Sequence, residues 1–285
     1  MVIHGQSEVV RYPVRFSQYY NSYPLLNPST AGSFSKLELS FGNKRLIGNF
    51  SNISSYYFNA NLRISPMKEE NKPFSTMGIL LYNDREGKYL NRSRFYLIYA
   101  WHGNLTQKIK FSGGFQIGGM NYAVKGTPLS GDGSDLKPDA AVGFQIYNHK
   151  FHAGISVNQV FNSKVQPLEE ITLLAPYLNI TGDWKYEISE PLLFTPNIAV
   201  FVPLSAYDKN TNNILVDFNL NLTINHILFI SAGLHRNDMM NISAGIDDVL
   251  SSEKKLNIQL TYTFPFVKRT NLNTGFLEIG LGYFF

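Results

Sequence analysis

The chain has 285 residues, of which 44% are hydrophobic, 14% aromatic and 16% charged, with a formal net charge of +4 and no cysteine. That length fits one closed β domain, and the missing cysteines exclude disulfide frameworks, thiolate nucleophiles and cysteine-held zinc. Basic residues such as Lys108, Lys110, Lys254 and Lys255 are scattered rather than gathered in a run, which speaks against nucleic-acid binding. No stretch reaches the roughly 18 to 20 apolar residues of a spanning helix. The segment after Met1 is too short and polar for a signal peptide, so any export signal is expected to have been removed already.

Taken in chain order, alternation of apolar and polar residues predicts about fourteen strands, most of them near the ~9 to 11 residues of a tilted membrane strand. They fall around Phe34–Gly42, Ser55–Ile64, Thr76–Asn83, Ser93–His102, Gln107–Tyr122, Asp139–Tyr147, Lys150–Phe161, Leu174–Ile188, Leu192–Val202, Ile214–Thr223, Ile227–His235, Met239–Ile246, Lys255–Phe264 and Gly275–Phe285. The clearest run sets Val216, Phe218, Leu220, Leu222 and Ile224 against Asp217, Asn219, Asn221, Thr223 and Asn225. Leu256, Ile258, Leu260, Tyr262 and Phe264 repeat it against Asn257, Gln259, Thr261 and Thr263. Helical spacing is nowhere comparable.

The expected fold is therefore all-β: a transmembrane antiparallel up-and-down β-barrel over residues 34–285, preceded by an N-terminal segment, 1–33. Apolar side chains face lipid, and Asp217, Asn219, Asn221 and Thr223 face the lumen. An even strand count puts both termini on one side, taken as the periplasmic one. Links after even strands should be short, as at Asn148-His149 and Asn225-His226, and links after odd strands longer. Pro66 to Ser75 and His235 to Asp238 break that rule. The competing reading is a soluble β-sandwich or lipocalin-like barrel whose apolar face is its core. Aromatic residues near strand ends argue for the membrane, since such rings favour the headgroup level. Tyr56, Tyr57, Tyr82, Tyr96, Tyr99, Tyr122, Tyr147, Phe151, Phe161 and Tyr283 to Phe285 are the residues meant.

The segment Arg15-Phe16-Ser17-Gln18-Tyr19-Tyr20, followed by Leu26-Asn27-Pro28-Ser29-Thr30-Ala31-Gly32-Ser33, resembles the "FSQY…NPAYAGS" opening of the PorP/SprF family. Ser29-Thr30 stands where that family has Ala-Tyr. Gly78 to Gly87, with Asn83-Asp84, resembles the family's "G…NDKIG" hairpin, and Asp139 to Asn158 its paired strands. Thr274 to Tyr283 resembles its "GTHEIMLGY" ending, with Phe276 for His. The resemblance spans the chain in order and is weakest between about Gln166 and Thr211. It implies a non-enzymatic outer-membrane component of the Bacteroidota type IX secretion and gliding machinery. Implied partners are a secreted adhesin or its C-terminal targeting domain, or periplasmic machinery subunits. The motif residues Phe16, Ser17, Gln18, Tyr19, Asn27, Pro28, Ala31, Gly32, Asn83 and Asp84 become docking candidates. The alternative is a passive porin for small solutes, and a third reading is a soluble carbohydrate-binding β-protein.

Catalytic and cofactor readings find little to stand on. His4, His102, His149, His152, His226 and His235 are dispersed and read as turn and lumen residues rather than a metal cluster or triad. Gly113-Gly114 and Gly118-Gly119 lack the following helix of a phosphate loop. Within strands, glycine instead lets another backbone come close. Glu169-Glu170 and Asp247-Asp248 read as solvated loop charge. The stretch from Gly5 to Ser33 is aromatic, carries Arg11 and Arg15, and has no clean period. It is expected to pack in the lumen or at the periplasmic mouth, with Asn27-Pro28 and Gly32 shaping the turn into the first strand.

Overall fold

The computed structural model describes residues 9–10, 15–47, 52–64, 72–126, 131–168, 171–204, 214–236, 238–247, 254–265 and 275–285. Among these, fourteen strands close into an antiparallel barrel. They are β1 Leu37–Leu46, β2 Ser54–Arg63, β3 Phe74–Glu86, β4 Leu90–Asn104, β5 Lys110–Val124, β6 Gly133–Tyr147 and β7 Phe151–Asn158. The series continues with β8 Tyr177–Trp184, β9 Leu192–Pro203, β10 Leu215–Ile224, β11 Leu228–His235, β12 Met239–Ile246, β13 Lys255–Pro265 and β14 Phe276–Phe284. Past Lys185, the short piece Tyr186–Ser189 continues β8 along β9. Every strand pairs with its neighbours in sequence, and β14 pairs with β1 to close the ring, Gly280 opposite Gly42. Closure leaves no barrel edge with unpaired backbone groups, which is the condition for crossing lipid with strands.

Period two decides which side chains meet lipid. On β10, Asp217 and Asn219 are 1% and 0% exposed, while Leu220 on the opposite face is 40% exposed. On β13, Gln259, Thr261 and Thr263 are buried and Ile258, Leu260 and Tyr262 are exposed. On β2, Asn59 and Asn61 are buried and Phe58 and Leu62 exposed. A surface carrying this many exposed leucine, isoleucine and phenylalanine side chains is stable only against hydrocarbon.

Several expected boundaries move. The first strand begins at Leu37, because the backbone N–H groups of Phe34 and Ser35 are taken by the Glu38 carboxylate. The sixth begins at Gly133 rather than Asp139, pairing outward as far as Val124 opposite Gly133. Strands β4, β5 and β6 have 15 residues each against 8 in β11 and β12, so the barrel is taller on one side. At about 3.3 Å per residue, and with the tilt of barrel strands, the longer strands extend past the hydrocarbon core of the bilayer.

The rim holding the start of β1 and the end of β14 is bound together by Leu37 and Phe285. Links at the opposite rim include 125–132, 159–176, 204–214 and 266–275, and this excess of long connections assigns that rim to the cell exterior. The links 64–73 and 247–254 are long on the periplasmic rim, and 87–89 and 236–238 are tight on the outer one.

The aromatic expectation needs correction. Tyr57, Tyr82, Tyr96, Tyr122 and Tyr147 are buried and point inward, each sharing parity with its strand's lumen residues. Tyr56, Phe161 and Phe285 are among those that stay exposed. The inward tyrosines pack on what fills the lumen.

Candidate functional site

The lumen is occupied by the chain's own N-terminal segment. The backbone of Val9–Val10 pairs in parallel with Thr172–Leu173, inside the 159–176 link at the outer rim. The chain then runs through the barrel, residues 15–32 almost wholly buried, and reaches the periplasmic rim at Phe34, which is 53% exposed. Of the two expected placements, in the lumen or at the periplasmic mouth, the structure shows the first: residues 15–32 pack inside the barrel. The two barrel ends share one rim, but Val9–Val10 sits at the other.

Three turns of 3-10 helix, Tyr19–Asn21, Tyr23–Leu25 and Pro28–Thr30, fold the plug. The last is set by sequence: Pro28 supplies the fixed φ of a first helical position. The Asn27 side chain caps it by accepting from Ser29 N–H at 3.0 Å. Gly32 then turns the chain with φ +78, a left-handed value that glycine adopts without strain.

The upper part of the plug is held by charge. The Glu278 carboxylate accepts from Ser17 N–H at 2.9 Å and Ser17 Oγ–H at 3.0 Å, and pairs with Lys44 Nζ at 3.0 Å. Lys44 also donates to the Arg15 carbonyl at 2.9 Å and lies over the Phe276 ring. Arg15 reaches Asp217 at 3.4 Å, and Asp217 is 3.0 Å from His235 Nδ1. Gln18 bonds Thr261, and Phe16 meets the Tyr57 and Tyr82 rings edge-on. Midway, the Tyr19 and Tyr23 side chains are buried between plug and wall. Tyr23 donates to Asp183 at 2.7 Å, and Tyr20 accepts from Gln259 at 2.7 Å.

The lower part is held by close approach. Asn27 Nδ2 donates to the Phe144 carbonyl at 3.1 Å. A Cβ on Gly143 would lie 2.0 Å from Asn27 Oδ1, and one on Gly114 would lie 2.6 Å from the Ser29 Cα. The wall therefore carries glycine where the plug backbone touches it. Ala31, 0% exposed, packs with Leu80, Ile98 and Ala100, and its carbonyl meets His102 Nε2 at 2.9 Å. Gly32 N–H donates to Glu38 at 2.9 Å, and Arg63 Nε donates to the Gly32 carbonyl at 2.9 Å.

The structure brings Phe16, Ser17, Gln18, Tyr19, Asn27, Pro28, Ala31 and Gly32 together as plug-to-wall contacts. It does not bring Asn83 and Asp84 to them. Asp84 is buried near the outer rim, bonded to Arg92 and Ser55 Oγ, while the Asn83 side chain lies on the other face with Asn91 and Ser93. Asp217, Asn219, Asn221 and Thr223 line the inner face of β10, where Asn219 donates to the Ser17 carbonyl at 3.4 Å. His102, His152 and His235 are separate lumen residues, each with its own partner in Tyr147, Asp183 or Asp217. His4, Glu169, Glu170 and Asp248 lie outside the described residues. Gly114, expected from sequence as a strand glycine that another backbone approaches, meets the Ser29 backbone; Lys44 and Glu278 were not expected at the site, although charged residues at inward parity on opposed strands are a pairing signal, since such charges are costly alone.

The two mouths differ. At the outer one, the hairpins β3–β4 and β5–β6 frame a cleft of about 610 Å³ bearing Arg85, Lys88, Tyr89 and Lys125. At the inner one, Arg63, Lys108, Lys110 and Lys185 surround Phe34 in a cleft of about 530 Å³.

Architecture and plug together define an outer-membrane β-barrel whose lumen is filled by its own N-terminal segment. Similar folds occur in CymD, a monoaromatic hydrocarbon channel (TM-score 0.54, 10% identity, 91% of this chain and 90% of that one). A Pseudomonas aeruginosa FadL homologue gives 0.52 at 8% identity over 90% and 92% of the two chains. The Pseudomonas putida toluene transporter TodX gives 0.51 at 9% identity over 92% of each. At such identities the likeness shows the fold alone. No curated protein sequence matches the chain. Residues 10–283 match the family of the type IX secretion system membrane protein PorP/SprF, and the chain belongs to that family.

Proposed function

We propose that this protein is a non-enzymatic docking barrel of type IX secretion and gliding, anchoring a protein partner at the outer membrane. The partner is a secreted adhesin, through its C-terminal targeting domain, or a periplasmic subunit of the machinery. One observation carries the reading: the lumen is filled by residues 15–32, bonded to the wall at both ends, so its interior is spent on holding a plug rather than on passing solute. The two basic, aromatic clefts at the mouths supply surface for a partner. The test is purification of the full chain in mild detergent from cells producing the secretion machinery, alongside solute flux through liposomes carrying the barrel. A stoichiometric adhesin or machinery subunit with negligible flux supports docking. Porin-like flux with no retained partner overturns it.

The second reading is a passive channel, favoured by the fold shared with the CymD and TodX channels. It requires the plug to leave. Deleting residues 5–23 and recording single-channel conductance measures how far the plug blocks the pore: unchanged conductance and folding would remove the plug's gating role.

A further inference from the structure

Between the plug and the wall lies a cavity of about 50 Å³ that the plug's bonding network does not account for. Arg94, on β4, is 7% exposed, and its Nε and Nη2 have no hydrogen-bond partner. These two N–H groups form one edge of the guanidinium fork. The Tyr82 ring covers the face of that guanidinium at 5.3 Å, and Arg94 makes no ion pair among the described residues. The nearest candidate, Asp139 in the same cavity, accepts from the Tyr96 hydroxyl at 2.5 Å and from Ala140 N–H at 2.8 Å. The Asp139 charge lies nearby but leaves the Nε and Nη2 edge of the guanidinium without an acceptor, and buried N–H groups without acceptors are costly.

Other groups converge on the same space. Arg15 holds Asp217 through Nη1, leaving Nη2 unpartnered. Gln159 is 3% exposed with both amide atoms unpartnered, and its backbone sits at φ 55, a left-handed value unusual for a glutamine. Gln116 Oε1 is unpartnered as well. Leu26, Leu80 and Phe201 make the rest of the wall apolar. One water needs only about 10–15 Å³ of such space, so the cavity has room for a group of acetate size.

We propose that this cavity is a binding site for a small carboxylate, held bidentately on Nε and Nη2 of Arg94. Arg15 Nη2 and Gln159 Nε2 are the further donors, and the apolar end of the ligand lies against Leu26 and Leu80. Two parallel N–H groups in a rigid fork match a planar carboxylate better than a spherical halide. The Asp139 charge disfavours a multiply charged anion. Because Arg15 belongs to the plug and Arg94 to the wall, the ligand ties one to the other, independently of which partner docks.

Equilibrium dialysis of the full chain in detergent against radiolabelled acetate, at constant chloride, tests the site. Saturable binding of one acetate per barrel is expected, weakened about tenfold by Arg94→Lys, which keeps the charge but loses the fork, and abolished by Arg94→Met. Should Arg94→Met fail to give the heat-modifiable migration of a folded barrel, Arg94→Lys and Gln159→Ala decide, both with weakened binding. Bromoacetate should give an anomalous peak beside Arg94 in crystals. No saturable binding, binding unchanged in Arg94→Lys and Gln159→Ala, or a site filled by chloride or water alone would overturn the proposal.

Discussion

The Arg15–Gln18 stretch and the Asn27–Gly32 turn meet the same barrel wall by different physics. The first is held by charge: Glu278 and Lys44, at 0% and 4% side-chain exposure, bracket the plug backbone. The second is held by shape: a capped proline turn lies with its backbone directly against Gly114 of β5, and the Asn27 side chain fills the space left by Gly143 of β6. Charge tolerates small displacements of the plug, whereas glycine contact tolerates almost none. The lower turn therefore sets the register of the plug, and the upper network fixes it there.

Substitutions that separate these two modes should rank accordingly. The largest effect is expected from Gly114→Val, because the obstructing atoms belong to the Ser29 backbone and cannot rotate away. The plug should leave its place, seen as a conducting barrel in planar bilayers under conditions where the wild-type protein is expected to be closed. Closed, wild-type-like barrels would mean that the wall yields instead.

Next comes Glu278→Ala, which leaves Lys44 buried without its carboxylate and should cost about 3–5 kcal/mol, read as a lower denaturant midpoint in lipid. The pair Lys44→Met with Glu278→Leu should recover most of that loss. A double variant as unstable as the single one would show that the network does more than neutralise itself.

Asn27→Ala removes the cap and the bond to the Phe144 carbonyl, for about 1–3 kcal/mol. Asn27→Asp should restore only the capping share, so its midpoint belongs between the two. Tyr23→Phe is expected to be the mildest, about 0.5–1.5 kcal/mol from one lost hydroxyl bond to Asp183. A Tyr23→Phe effect larger than that of Asn27→Ala would reverse the ranking of the two regions.

How much of this was legible from sequence varied around the ring. On β10 and β13 the inner face meets polar plug groups such as Ser17 and Gln18, so inner and outer residues differ in polarity and the period of two is plain. On β3 and β4 the inner face meets Leu25, Phe16 and Ala31 instead, and Leu80, Tyr82, Tyr96 and Ile98 are apolar although they point inward. With both faces apolar the alternation fades, and tyrosines such as Tyr82 and Tyr96 are easily taken for an interfacial girdle. The start of β6 was hidden in the same way, because the Gly, Ser and Asp residues near its beginning look like loop until β5 is seen alongside.

Strand number, lipid-facing side chains, the proline turn at Asn27-Pro28 and the need for glycine at position 32 follow from local rules: period two, capping and the sign of φ. The path of the plug does not. That it crosses the whole lumen, that Lys44 and Glu278 meet around Ser17, and that Gly114 and Gly143 face Ser29 and Asn27 depend on ring closure. Closure brings strands more than two hundred residues apart in the chain into contact, and no local pattern carries that distance.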